Sequence, residues 1–180
     1  FDVVNHLNVG AELITNPAER RGLAELNLTA GRKAKASAAF PAALSYFQLG
    51  AALLPAVVWQ SDGALAFALH FEQAEAEYLT GRLEEAERSY AQLLQRAADP
   101  LDRIDVYMLI ITQFETTSRY ADAIRAGREG LRLLGIELPE GGADLHAAVE
   151  AELSAIRECL GERPIASVVD LPRITDRRAR

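Results

Sequence analysis

Three short segments of this chain repeat one order of residues: Ala38-Ala39-Phe40-Pro41-Ala42-Ala43, Gly81-Arg82-Leu83-Glu84-Glu85-Ala86 and Ser118-Arg119-Tyr120-Ala121-Asp122-Ala123. Each has a small residue, a large apolar residue two positions later, and an alanine three beyond that. The alanines are 43 and then 37 residues apart. Four residues past the alanine the first two copies carry an aromatic, Phe47 and Tyr90, and the third carries Gly127. The small residue suits a tight turn between two helices, the large one plugs the corner, and the alanine lets the second helix approach the first. The aromatic then fills the gap to the next unit. A single helix pair cannot bury its apolar face, so the pattern demands that neighbours stack.

Elsewhere the hydrophobic period is helical, and β-branched runs are short. Asn16-Pro17-Ala18-Glu19 reads as a helix start, with Asn16 capping, Pro17 at the first position and Glu19 closing a capping box. That helix is expected to reach Ala38, and an amphipathic one is expected before it from Phe1 to Ile14. Helices follow over about 41–54, from a Ser61-Asp62 cap to Thr80, and over 83–97. Asp99-Pro100 repeats the start grammar and opens a helix to Ser118, partnered by one over 121–134. Gly135 is placed to end that helix with a left-handed residue. Leu138-Pro139-Glu140-Gly141-Gly142 is a loop, a helix over 143–160 ends at Gly161, and Thr175-Asp176 marks a further start. The expected class is therefore all-α: a superhelical stack of antiparallel helix pairs, an α-solenoid. Its turn chemistry and helix order match the tetratricopeptide (TPR) repeat. The period is longer than 34 residues and irregular, so the chain is TPR-like rather than a regular TPR.

The 180 residues suffice for a continuous core, and a mean hydropathy of −0.01 suits a water-exposed protein. No apolar run approaches the roughly 20 residues of a membrane span. Net charge is −7, with no long basic stripe, which argues against nucleic acid and anionic membrane as partners. Arg20, Arg21, Arg32, Lys33 and Lys35 cluster locally but spread around a helix, as a solvated face does. Cys159 is the only cysteine, so no internal disulfide framework exists, and a reducing, cytoplasmic setting is expected. Phe1 opens the chain and Met108 is its only methionine, so the chain reads as a piece of something larger.

Several segments in combination resemble one group of bacterial proteins. They are Phe1-Asp2-Val3-Val4-Asn5-His6-Leu7-Asn8, Glu25-Leu26-Asn27-Leu28, Gly31-Arg32-Lys33-Ala34-Lys35-Ala36-Ser37-Ala38-Ala39, Leu53-Leu54-Pro55, Glu75-Ala76-Glu77-Tyr78-Leu79-Thr80-Gly81, Gly130-Leu131-Arg132-Leu133-Leu134-Gly135 and Asp170-Leu171-Pro172. The group is the large multi-sensor signalling kinases. In these, a serine/threonine-kinase-like domain and an AAA-type ATPase module precede a helical repeat region, and GAF or PAS sensors and a histidine kinase often follow. The resemblance implies that residues 1–15 are the trailing helix of an ATPase-type module, that 16–162 are the repeats, and that 163–180 lead to further helices. None of the family's catalytic motifs falls within these residues.

The chain's own residues offer little catalytic chemistry. There is no phosphate-binding loop ending in Gly-Lys-Ser/Thr, and no Gly-x-Gly-x-x-Gly after a strand. His146 and Glu150 lie one turn apart and could touch a metal, but a zinc site needs about four ligands. Glu72, Glu75 and Glu77 lack the Glu-x-x-His partner of a di-iron bundle. Cys159 is near a helix C-terminus, where the dipole disfavours a thiolate. Trp59 reads as an anchor for the long connection from Pro55 to Asp62, with a partner-binding indole as the sharper alternative. No cofactor, metal or small-molecule substrate is expected.

Stacks of this kind bind on the concave face, lined by the first helix of each pair. Helical phase puts Leu28, Arg32 and Lys35 there, then Phe71, Glu75 and Tyr78, then Met108, Thr112 and Glu115. Glu75 and Thr112 stand where a clamp for a peptide's C-terminal carboxylate would want Asn. An internal segment, a neighbouring domain of the same polypeptide or another protein suits this mixed groove better. The expected role is a non-catalytic interaction or relay segment of a multidomain signalling kinase. The alternative is the repeat region of an ATPase-type transcriptional activator that ends in a helix-turn-helix.

Overall fold

The computed structural model describes residues 1–139 and 141–175. The protein is 78% helical, and no strand occurs among the described residues. Two compact units divide it, Phe1–Gly127 and a second beginning at Arg128.

In the first unit the helices are α1 (Asp2–Val9), α2 (Pro17–Ala36), α3 (Phe40–Leu53), α4 (Val58–Ser61), α5 (Gly63–Leu79), α6 (Leu83–Arg96) and α7 (Pro100–Thr116). Helix α8 (Tyr120–Leu133) begins in it as well. Asn16 and Asp99 cap α2 and α7 by accepting from the backbone N–H two residues on, at 2.8 and 2.9 Å. Each cap satisfies one of the donors that a helix start leaves without an internal partner. The reciprocal bond expected from Glu19 does not form.

The repeated segments are one turn built three times. At the end of α2, the Ala39 N–H donates to Ala34 O and the Ala38 N–H to Lys35 O. Arg82 and Gly81 bond in the same way to Glu77 and Tyr78, and Arg119 and Ser118 to Phe114 and Glu115. This double bond pattern is the Schellman closure, and its pivot is left-handed. Ala38, Gly81 and Ser118 are those pivots, with φ of +57°, +78° and +59°. The small residue in each copy thus serves a backbone need, and two copies meet it without glycine. Ala38→Gly and Ser118→Gly should each stabilise the protein by about 0.5–1 kcal/mol, and Gly81→Ala should cost about 1 kcal/mol. Denaturant midpoints of the three variants check this.

Beyond each corner the alanines are buried as expected: Ala43, Ala86 and Ala123, together with the aromatics Phe47 and Tyr90. The corner plug fails in the third copy, where Tyr120 is 62% exposed. Two apolar clusters result. One joins α1, α2, α3 and α5 around Leu23, Leu44, Phe47 and Leu69, and the other joins α5, α6 and α7 around Ala74, Ala86, Tyr90 and Val106. Consecutive helices pack in chain order, α2 on α3, α3 on α5, α5 on α6 and α6 on α7. In addition α2 touches α5, and α5 touches α7.

Three local expectations need correction. The helix expected over 1–14 breaks at Gly10 and continues as a 3-10 turn, Ala11–Leu13, and Leu7, expected on its apolar face, is exposed. The chain between Pro55 and Asp62 holds the short helix α4. Asp62 stands at the start of α5, yet its carboxylate accepts from Arg21 Nε at 2.6 Å rather than capping the helix. Helix α1 belongs to the first cluster through Val4, and it is tied down by a reciprocal amide pair between Asn8 and the fully buried Asn27, both bonds 2.8 Å.

In the second unit α8 ends on another left-handed pivot, Gly135 at φ +78°, with the Ile136 N–H donating to Leu131 O. Arg128 holds the following loop by donating to Pro139 O at 2.9 Å and to Leu138 O. Helix α9 (Gly142–Leu160) and a 3-10 turn, Ile165–Asp170, follow. Glu140 of the loop and Asp176 of the expected Thr175-Asp176 start lie outside the described residues.

Candidate functional site: the face shared by α2, α5 and α7

The residues assigned to the concave face come from α2, α5 and α7, of which α2 and α7 each touch α5, and the structure joins several of them. Arg32 Nε meets Glu72 Oε1 at 2.7 Å, and Lys35 Nζ lies 2.5 Å from Glu72 Oε2 and 2.6 Å from Glu75 Oε2. This four-residue network ties α2 to α5. Burial works against the Lys35 charge, but hydrogen bonds to Glu72 and Glu75 outweigh it and hold the ammonium above its ordinary pKa. Tyr78 Oη donates to Thr116 Oγ1 at 3.2 Å and links α5 to α7. The partners in these contacts are 37, 38 or 40 residues apart, close to the spacing of the corner alanines.

The other members do not converge on a reacting centre. Leu28 packs against the first cluster, while Phe71 stacks on Phe67 at 5.6 Å and packs on the second. Met108 is 58% exposed, Thr112 bonds back to Met108 O in its own helix, and Glu115 is exposed. The arrangement is a braced, mixed surface with opposite charges closed upon each other. Met108 is an exposed apolar side chain on it, and the ion network fixes the spacing of α2 and α5.

Sequence reasoning missed Glu72, which takes both cations and is nearly buried, because its role depends on which helix lies opposite. It also missed Gln113, whose side-chain amide is buried and donates to Leu83 O at 3.3 Å and Glu87 Oε1 at 3.2 Å. The detectable signal for both was a polar residue at an apolar helical phase. Trp59 does anchor its connection: it packs on the second cluster, stacks on His70 at 5.4 Å, and has the Arg96 guanidinium 5.3 Å from its ring centre. A cavity of about 720 Å³ lies among Pro17, Leu53, Leu54, Pro55 and Val58. Its rim is already engaged, with Arg20 donating to Ile14 O, Ala52 O and Leu53 O, and Arg21 held by Asp62 and Glu25.

Among the described residues no group of three or more His, Cys, Asp or Glu side chains is arranged to hold a metal ion, and Cys159 is exposed. No helix among them is long and apolar enough to cross a membrane.

Comparison with known proteins adds a signalling context. The chain is similar to a protein of Dictyostelium discoideum named hybrid signal transduction histidine kinase G, with 28% identity over 182 aligned positions. The alignment takes in 94% of this chain and 5% of the relative, so the chain spans about 5% of the length of the curated relative it matches. No family model matches the chain, and no solved structure matches it. A relationship to signalling kinases stands on that similarity.

Proposed function

We propose that this chain is a TPR-like helical repeat segment, an α-solenoid, of a multidomain signal-transduction kinase of the bacterial multi-sensor kind. Its work is non-catalytic: it holds neighbouring domains of its polypeptide in register, or receives another protein, on the face formed by α2, α5 and α7. Residues 1–15 are then the trailing helix of an ATPase-type module, 16–162 the repeat region and 163–180 the lead into further helices, in a cytoplasmic protein. Nucleic acid, membrane and a small-molecule substrate have no part in it.

The observation that carries this reading is similarity along nearly the whole chain to a histidine kinase that is far longer. It favours the kinase context over a transcriptional activator. Support for the repeat architecture comes from the three identical corner closures and from contacts between helices about one repeat apart. A segment that only transmits should not bind nucleotide. Calorimetry of the 180-residue chain with ATP and magnesium should therefore give no saturable heat. A stoichiometric signal below about 100 μM, roughly −5.5 kcal/mol of directed contacts, would place chemistry in this segment and end the relay reading.

A further inference from the structure

The interface between α5 and α6, on which the relay reading does not draw, contains a polar stripe where a helix pair ordinarily buries apolar side chains. Helix α5 contributes His70, Gln73 and Glu77 at spacings of three and four, one face of a helix. They line a cavity of about 210 Å³ with Ser89, Arg88 and Arg96 of α6. Glu77 is 4% exposed. Its carboxylate accepts from Ser89 Oγ at 2.6 Å and from Gln73 Nε2 at 2.8 Å. Both partners are neutral, and among the described residues no Lys or Arg pairs with it. A carboxylate offers about four acceptor positions, so two bonds leave it half used. Burying a negative charge without a cation is costly, and that cost falls when a cation enters the cavity.

The rest of the lining describes the other end of the same ligand. Arg88 and Arg96 are exposed cations on the cavity's walls, and Glu85 is an exposed anion beside Arg88, 3.7 Å away. Burial, with the Arg96 charge added, pushes the His70 pKa below its ordinary value and keeps that ring neutral. The lining therefore carries two negative and two positive groups, with one negative group at the floor. Net-neutral walls with separated signs match a net-neutral ligand with separated signs. Two arginines in the lining, and no group of three or more His, Cys, Asp or Glu side chains among the described residues set to hold a metal ion, favour an organic ligand over a bare metal ion. A water takes roughly 30 Å³, so the volume suits a molecule of five to seven or so non-hydrogen atoms.

We propose that this cavity is a binding site for a small zwitterion of the α-amino-acid class, its ammonium on Glu77 and Gln73 and its carboxylate toward Arg88 and Arg96. The ligand is held and not turned over, so a soluble signal would enter the segment on the α5–α6 side, away from the residues assigned to the relay face. Trp59 lines the cavity and is the only tryptophan, so its emission reports occupancy directly.

The test titrates the 180-residue chain with glycine and L-alanine, and with ethylamine and acetate as the two half-ligands. Trp59 emission and the backbone amide resonances of Glu77 and Ser89 are followed together. A saturable change with an amino acid, about tenfold weaker or more with either half, is expected. Glu77→Gln keeps an acceptor for Ser89 and should abolish the change. Arg88→Gln, at an exposed position, should reduce the amino acids to the level of ethylamine, and it serves if Glu77→Gln does not fold. The proposal is overturned if no probe saturates below about 10 mM, if Glu77→Gln binds as the parent does, or if ethylamine binds as tightly as alanine.

Discussion

Gly31→Ala should destabilise the protein by about 1–3 kcal/mol, whereas Gly22→Ala, nine residues earlier on the same helix, should stabilise it by about 0.5–1 kcal/mol. Both substitutions gain the same helix propensity, since glycine inside a helix costs nearly 1 kcal/mol relative to alanine. They differ in what the new methyl meets. At Gly22 nothing lies within 4 Å. At Gly31 a Cβ would stand 2.3 Å from Phe47 Cε1 and 2.7 Å from its Cδ1. Phe47 is wholly buried between α2, α3 and α5, so its ring has no free volume to retreat into. Interiors this closely packed respond to added volume by strain rather than by flow. Phe47→Leu in the Gly31→Ala background should recover part of the loss, because contacting sites are not additive. Equal effects of the two alanines in urea unfolding would mean that α2 and α3 do not approach as closely as described.

The second large effect is expected at Ala86, where leucine should cost about 1–3 kcal/mol, while Glu84→Leu two residues away should change stability by under about 1 kcal/mol. Ala86 is completely buried in the second cluster beside Tyr90 and Ala74. It sits one turn past the corner at Gly81, where α6 must lie close to α5. Three extra carbons there have to separate the two helices or force a neighbour off its rotamer. Glu84 is exposed in the first turn of α6, so its loss removes only a favourable carboxylate near the positive end of the helix dipole, worth about 0.3–1 kcal/mol. In a chain of this length each kcal/mol moves the melting temperature by roughly 2–4 °C, so the two variants separate in a thermal scan.

The corners were legible in the sequence because their cause is local. A left-handed residue after a helix needs a small side chain, and Ala38, Gly81 and Ser118 show that need regardless of what packs nearby. Starts marked by Asn16-Pro17 and Asp99-Pro100 were legible for the same reason. Helix α4 was not, since four residues cannot sustain a helix alone and this one is held through Trp59 against His70 and Arg96. Gly31 and Gly50 were visible as glycines inside helical periods, yet their meaning lies in Phe47 and Leu69 on other helices. Of the residues that helical phase put on one face, Lys35 does meet Glu75. Glu72 was missed because a carboxylate at an apolar phase makes sense only once Arg32 and Lys35 stand opposite. Tyr120 shows the reverse failure, a repeat position whose side chain stays in solvent.

The central claim is that this segment transmits between neighbours through the exposed part of the α2–α5–α7 face without performing chemistry. Met108→Asp tests it most directly in the full-length kinase proposed to carry the segment. Met108 is exposed and belongs to neither cluster, so the change leaves the helices folded, as circular dichroism of the 180-residue chain verifies. The measurement is autophosphorylation with and without the activating signal. The account predicts that the ratio of stimulated to unstimulated rates falls, while the kinase domain alone retains its rate. A ratio identical to that of the parent, with the variant fully folded, would contradict the claim.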